Sequence, residues 1–201
     1  MNFIQFKTTM REFPVFSVAD IRAAFPNFDR RRLSEWQKKG YIQKIIKGCY
    51  IFPEVDLDEK TLWKIANKIY KPSYVSLETA MAHYGLIPES VYPITSISTR
   101  RTYSFETPVG VFSYKTMKPM RFFGYTLLNG IKMATMEKAI LDYLYIHPGI
   151  GEAPDFSSLR IHREEMRRRI DQKRFTAYLE RFGQNRLSVR AEKLLKWAEE
   201  D

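Results

Sequence analysis

The chain has 201 residues, 44% of them hydrophobic and 14% aromatic, with a formal net charge of +10. This composition buries a sizeable core and argues against global disorder, and no apolar run approaches the roughly 18 to 20 residues that cross a bilayer. A single cysteine, Cys49, excludes an intrachain disulfide and fits a reducing cytosol, and the opening MNFIQFKTTMREF has no signal-peptide profile.

The charge is unevenly placed. Residues 1–53 hold ten Lys/Arg against four Asp/Glu, residues 54–155 eleven of each, and residues 156–182 eight against four. The last nineteen residues are balanced again, four against four. Two blocks therefore carry the whole excess, and concentrated positive charge is what a polyanion-binding surface needs.

In chain order, Phe3, Phe6, Met10 and Phe13 recur at helical spacing and predict a helix over 2–12, ended by Pro14. Ser17 with Asp20 three residues on predicts a capped second helix through Phe25, with Val18, Ile21 and Phe25 inward. Asn27 is placed to cap a third helix from about Phe28 to Lys39, which Gly40 stops. On that helix Leu33 and Trp36 share an anchoring side, and Arg31, Ser34, Glu35 and Lys38 fall opposite. Tyr41–Ile46 and Cys49–Phe52 then read as two short strands around the tight turn Lys47-Gly48.

Asp56 or Asp58 caps a helix bearing Leu62, Ile65, Ala66 and Ile69, and Ser76 opens a short one that ends at Gly85. From Tyr92 to Met133, β-branched and aromatic residues split by Pro108-Val109-Gly110 and Asn129-Gly130 predict about four antiparallel strands. Thr135 caps an amphipathic helix that closes at Pro148-Gly149, and GIGEAPDF, Gly149 to Phe156, reads as a loop or linker. Two or three helices finish the chain: Arg163–Arg169, either separate from or continuous with Asp171–Phe182, and Ser188–Glu200.

Three helices followed by a basic hairpin resemble a winged helix-turn-helix. An α-helix fits the DNA major groove, arginine can donate two hydrogen bonds to guanine, and lysine meets phosphate as a point charge. Arg31, Ser34 and Lys38 would then face bases and near phosphates, Arg30 and Arg32 would position the duplex, and Lys44 and Lys47 would touch the backbone. The plainer alternative is a solvated helix on which Glu35 pairs with Arg31 or Lys38. Arginines at a helix N-terminus oppose the helix dipole, which tilts the balance toward function. Arg160, Arg163, Arg167 and Arg174 recur at helical spacing as a second basic surface, with Glu164 and Glu165 placed to neutralise part of it.

Enzyme signatures are sparse. His83, His147 and His162 are scattered, no phosphate-cradling glycine loop is present, and Glu137 and Asp142 point to different helix faces. No catalytic residue, metal or cofactor is expected.

Arg31-x-Leu33, Gly40-Tyr41-Ile42 and Lys47-Gly48-x-Tyr50-x-Phe52 are similar to the winged helix of AbiEi-type antitoxins. Tyr74–Ala80, His83–Pro88, Thr107–Gly110 with Phe112 and Tyr114, and Ala134–Asp142 resemble that family's later segments in the same order, from about Val18 to Ile146. The resemblance implies a bacterial type IV toxin–antitoxin regulator. Its N-terminal domain would bind operator inverted repeats in double-stranded DNA, with Arg31, Lys47, Gly48 and Tyr50 facing DNA or shaping the wing. Its C-terminal domain would oppose a nucleotidyltransferase-like toxin without forming a stable complex with it.

The resulting expectation is an α+β protein with an N-terminal winged helix-turn-helix, then a mixed domain with an antiparallel sheet and C-terminal helices. Residues 1–53 would be the winged-helix DNA-binding domain and 54–201 an antitoxin-like domain, with a 54–148 core and C-terminal helices over 156–201. Function would be repression and antitoxicity in the cytoplasm, with no membrane partner. The rival expectations are an RNA-binding module masking a toxin's RNA target through residues 160–174, a nuclease whose carboxylates the fold gathers, and a protein-interaction scaffold.

Overall fold

The computed structural model describes residues 2–88 and 92–200. The chain begins with α1 (Phe3–Met10), β1 (Val15–Ser17), α2 (Val18–Ala24), α3 (Arg31–Lys38), β2 (Gln43–Ile46) and β3 (Cys49–Ile51). The strands form an antiparallel sheet in the order β1-β3-β2, so three helices and a hairpin are closed by a short third strand. This is the winged helix-turn-helix arrangement.

Local chemistry sets its element ends. Asn2 and Gln5 cap α1 reciprocally, Ser17 and Asp20 do the same for α2, and Gly40 stops α3 with φ +70. One expectation fails at the third helix. Asn27 does not cap it, and α3 starts later, where the Arg31 N–H donates to Asp29 Oδ1 at 3.0 Å. An acid beside the helix start offsets the unfavourable arginines there.

The small sheet buries both faces. Phe16, Tyr50, Ile42 and Phe52 join Phe6, Met10, Ile21, Leu33 and Trp36 in one apolar cluster. Val15, Ile45, Cys49 and Ile51 belong to the larger cluster of the rest of the protein. The pairing register shifts between Lys44 and Ile46, so Ile45 is buried while Lys44 stays exposed. The cover on the second face includes α4 (Glu59–Ile69), capped by Asp58, whose carboxylate accepts from the Thr61 N–H at 2.8 Å. The core consequently does not divide at Pro53.

The larger sheet holds β4 (Ser73–Val75), β5 (Ile94–Ser98), β6 (Tyr103–Thr107), β7 (Gly110–Thr116), β8 (Tyr125–Leu128) and β9 (Ile131–Ala134), in the order β6-β7-β5-β4-β9-β8. Both expected hairpins form, β6–β7 and β8–β9, and Asn129 and Gly130 take the left-handed pair of φ values, +50 and +80, that a two-residue turn requires. The sheet is mixed, however: β4 pairs with β9 and β5 with β7 in parallel.

Helices α5 (Leu77–His83) and α6 (Met136–Ile146) complete this unit. The Tyr114 hydroxyl donates to the Ala66 carbonyl of α4 at 2.7 Å, whereas the Tyr74 hydroxyl donates to Asp142 of α6 at 2.9 Å. Tyr114 lies in register with Ser96 and Ser96 with Val75, one residue from Tyr74. Successive strand residues face opposite ways, so α4 covers one face of the sheet and α6 the other.

The chain ends in α7 (Ala153–Ser158), α8 (Arg163–Arg169), α9 (Gln172–Phe182) and α10 (Asn185–Glu199). GIGEAPDF is not a linker: Glu152 and Asp155 form the box that opens α7. Arg190 of α10 donates to the carbonyls of Leu144, His147 and Ile150 at 2.8, 3.1 and 2.8 Å, and so caps the end of α6. A side chain on Gly151 would run into Arg190, its Cβ falling 2.6 Å from Cδ. Among the described residues no helix is long and apolar enough to cross a membrane.

Helix α6 is buried through almost its whole length rather than amphipathic, and Glu137, Lys138 and Asp142 are buried with it. Lys138 Nζ pairs with Asp142 Oδ1, donates to the Tyr74 hydroxyl at 2.9 Å and sits 4.6 Å from the Phe182 ring centre. The second Asp142 oxygen accepts from Tyr74 and from Ser76, the latter at 2.8 Å. Burial pushes the Asp142 carboxyl up and the Lys138 ammonium down, while each partner pulls the other back toward the charged form. Lys138→Met strands Asp142 and is expected to lose about 3–5 kcal/mol of unfolding free energy, with most of that loss absent from the double variant K138M/D142L. Urea unfolding of the two variants checks this, and equal losses in both would refute it.

Candidate nucleic-acid interface

The eight residues of α3 are fixed from below by aromatic packing. Trp36 stands 4.6 Å from Phe6, 5.2 Å from Phe3 and 5.8 Å from Phe28 between ring centres. Leu33 and Trp36 are buried, as the spacing predicted. Each aromatic pair adds about 0.5–1.5 kcal/mol beyond its buried area, so the helix is held rigidly.

Arg31, Ser34, Glu35 and Lys38 lie exposed on the other side. Among the described residues no acid pairs with Arg30, Arg31 or Lys38, and Glu35 pairs with neither Arg31 nor Lys38. Arg32 differs, being half-buried and engaged within the chain. The solvated-helix alternative relied on intrahelical pairs that do not form here.

Lys44 and Lys47 are exposed on the hairpin. Gly48 turns its tip with φ +86, and its carbonyl accepts from the Val18 N–H at 3.0 Å, tying the tip to the start of α2. Tyr50 is buried and stacked on Phe16 at 6.2 Å, so it shapes the base of the wing. Burial raises its hydroxyl above the ordinary phenol value, against the pull of nearby Arg30.

The second basic block is differently arranged. Arg160 precedes α8 with φ +53, and Arg174 sits on α9, beyond the extended Ile170 that separates the two helices. Arg160, Arg163, Arg167 and Arg174 therefore do not share a helix face. Arg163 lies 4.0 Å over the Trp197 ring and donates to the Glu200 carbonyl at 2.8 Å. Arg168 holds Glu165 with two hydrogen bonds, and Arg169 donates to the Tyr84 carbonyl at 2.8 Å. Arg174 pairs with Asp171 and buried Glu137, at 3.3 and 3.4 Å, and Arg160 and Arg167 are also engaged within the chain. Glu137 accepts in addition from the Asp171 N–H at 3.0 Å, so it fastens α9 to α6.

No protein-family model matches the chain, and no curated protein matches it. The likeness to AbiEi-type antitoxins rests on the quoted motifs.

The winged helix is seated on the rest of the protein through Asp20. Its carboxylate accepts from the Ser17 N–H and hydroxyl, both at 2.6 Å, and pairs with Lys68 of α4 at 2.5 Å. Burial pushes the Asp20 carboxyl up, but the bonds from Lys68 and Ser17 outweigh it and leave the group below its ordinary 3.8. A carboxylate with a depressed folded pKa stabilises fully above its unfolded value and loses that contribution as pH falls through the folded value. Asp20→Asn is expected to cost about 1 kcal/mol near pH 6 and progressively less below 3.8. Urea midpoints of the two proteins across that range measure it; a constant difference would show that the charge contributes nothing.

Proposed function

We propose that the N-terminal winged helix binds double-stranded DNA sequence-specifically, and that the protein is a cytoplasmic transcriptional repressor and antitoxin of a type IV toxin–antitoxin system. The observation that carries the DNA reading is the stripe of Arg31, Ser34 and Lys38, exposed, without acidic partners, on a helix immobilised by Trp36 and Leu33. Placed in the major groove, Arg31 near the start of α3 reaches base edges, where helix-turn-helix proteins make such contacts, and Lys38 reaches phosphate. Arg30, Lys44 and Lys47 add backbone contacts on either side.

The second basic block supports the RNA alternative less well, because Arg163, Arg168, Arg169 and Arg174 are committed to partners within the protein. The antitoxin part rests on the family resemblance. Two of its motif blocks meet in space, since Tyr74 and Ser76 of one hold Asp142 of the other. Relief of growth arrest on co-expression with a nucleotidyltransferase-like protein encoded next to this one tests that part separately.

Arg31→Ala with Lys38→Ala is expected to abolish preference for the native upstream region while leaving the unfolding midpoint unchanged. For the wild-type protein, log K should fall against log salt with a slope of about −4 to −5 if about five phosphates are neutralised. Fluorescence anisotropy with the upstream duplex and a scrambled one reads both quantities. An undiminished preference in the variant, or an affinity indifferent to salt, would remove α3 from the interface.

A further inference from the structure

A cleft of about 460 Å³ opens where β1, α4 and the β8–β9 turn come together. Three lysine side chains line it, Lys64, Lys68 and Lys71 at or just beyond α4, and no acid does. Lys132 on β9 contributes its backbone, since its ammonium lies 5.8 Å from the Tyr125 ring centre, on the α6 face of the sheet. Asp20 holds Lys68, and among the described residues no acid pairs with Lys64 or Lys71. Phe13, a large ring left 44% exposed, and Pro14 add an apolar wall.

Two polar side chains in the same wall are left without partners. Asn67 Oδ1 accepts from the Lys132 N–H at 2.6 Å, and a backbone N–H can only donate, so the amide orientation is fixed. Its Nδ2 then finds no hydrogen-bond partner among the described residues, and neither does Oγ of Ser73, which is 2% exposed. Buried donors left unpaired cost about 1–3 kcal/mol each, and an acceptor-rich ligand is the remedy the surroundings favour.

We propose that this cleft binds a small phosphorylated molecule of nucleotide size, its phosphates held by Lys64 and Lys71 and its flat apolar body laid against Phe13 and Pro14. The volume falls within the roughly 300–1,000 Å³ of small-ligand pockets. The site is separate from the wing: β1 is one edge of the small sheet, and β2, which carries Lys44, is the other. It depends in no way on the DNA reading.

Calorimetry of the full chain at low salt, with GTP, ATP, guanosine and inorganic pyrophosphate as probes, tests the site. At least one nucleotide is expected to bind, more tightly than pyrophosphate, and guanosine not at all. K64E/K71E should weaken the nucleotide about tenfold or more with the unfolding midpoint unchanged. Phe13→Ala should weaken the nucleotide and leave pyrophosphate as it was, which keeps the idea testable should the charge reversal unfold the protein. Absence of heat from both nucleotides, pyrophosphate binding as tightly as either, or unchanged affinity in K64E/K71E would overturn the proposal. So would loss of duplex DNA binding by K64E/K71E in the absence of nucleotide, since the cleft would then belong to the DNA surface.

Discussion

A three-stranded sheet with two apolar faces cannot stand in water by itself, and the layout of this protein follows from how the second face is covered. The first face carries Phe16, Tyr50 and Phe52 beneath α1–α3, and the second carries Val15, Ile45, Cys49 and Ile51 within the larger core. With both faces occupied, the winged helix is immobilised at its back and is left α3 and the hairpin tip to show to solvent. The Asp20–Lys68 pair fastens the same junction at its polar margin. A cationic cleft opens between β1, α4 and the β8–β9 turn.

The two basic blocks show why charge count and charge availability differ. Over residues 163–174, guanidinium groups are consumed in holding helices together: Arg163 on Trp197, Arg169 on the Tyr84 carbonyl, Arg174 on Glu137. An arginine already bonded to protein must give up those bonds before it can meet phosphate, and that exchange cancels much of the gain. On α3 nothing has to be surrendered by Arg31 or Lys38. The more basic-looking run is therefore the less available one.

What could be read from the sequence was local. Caps such as Ser17 with Asp20, Asp58 and Thr135, and stops such as Gly40, act within three or four residues, and the structure has each of them. The strands β1 and β4 are three residues long, too short for any alternation to register, so both were invisible. Parallel pairing of β4 with β9 joins residues some sixty positions apart, and no local pattern encodes it. Lys138 and Asp142 stand four apart, a spacing common on exposed helix faces, so nothing local marks them as buried. Their burial is decided by Tyr74, Ser76 and Phe182, all distant in sequence. The α3 stripe was legible because one helix carries all of it, whereas the cleft is assembled from three separate segments and its lysines come from a stretch of zero net charge.

The dimensions of α3 constrain how it could achieve specificity. From Arg31 to Lys38 the helix rises roughly 10 Å, which spans about three base pairs at about 3.4 Å each. Each correctly read pair discriminates by about 1–3 kcal/mol, so one copy gains at most several kcal/mol over random sequence. A genome offers on the order of a million or more competing sites, which is the excess such a preference would have to overcome. Under the proposed reading a single short helix falls near or below that threshold, and phosphate contacts from Lys44 and Lys47 would raise binding to every sequence alike. Doubling the readout by placing two copies on an inverted repeat squares the discrimination without lengthening the helix. Under the proposed reading, the repeated operator implied by the family resemblance is thus what an eight-residue recognition helix physically requires.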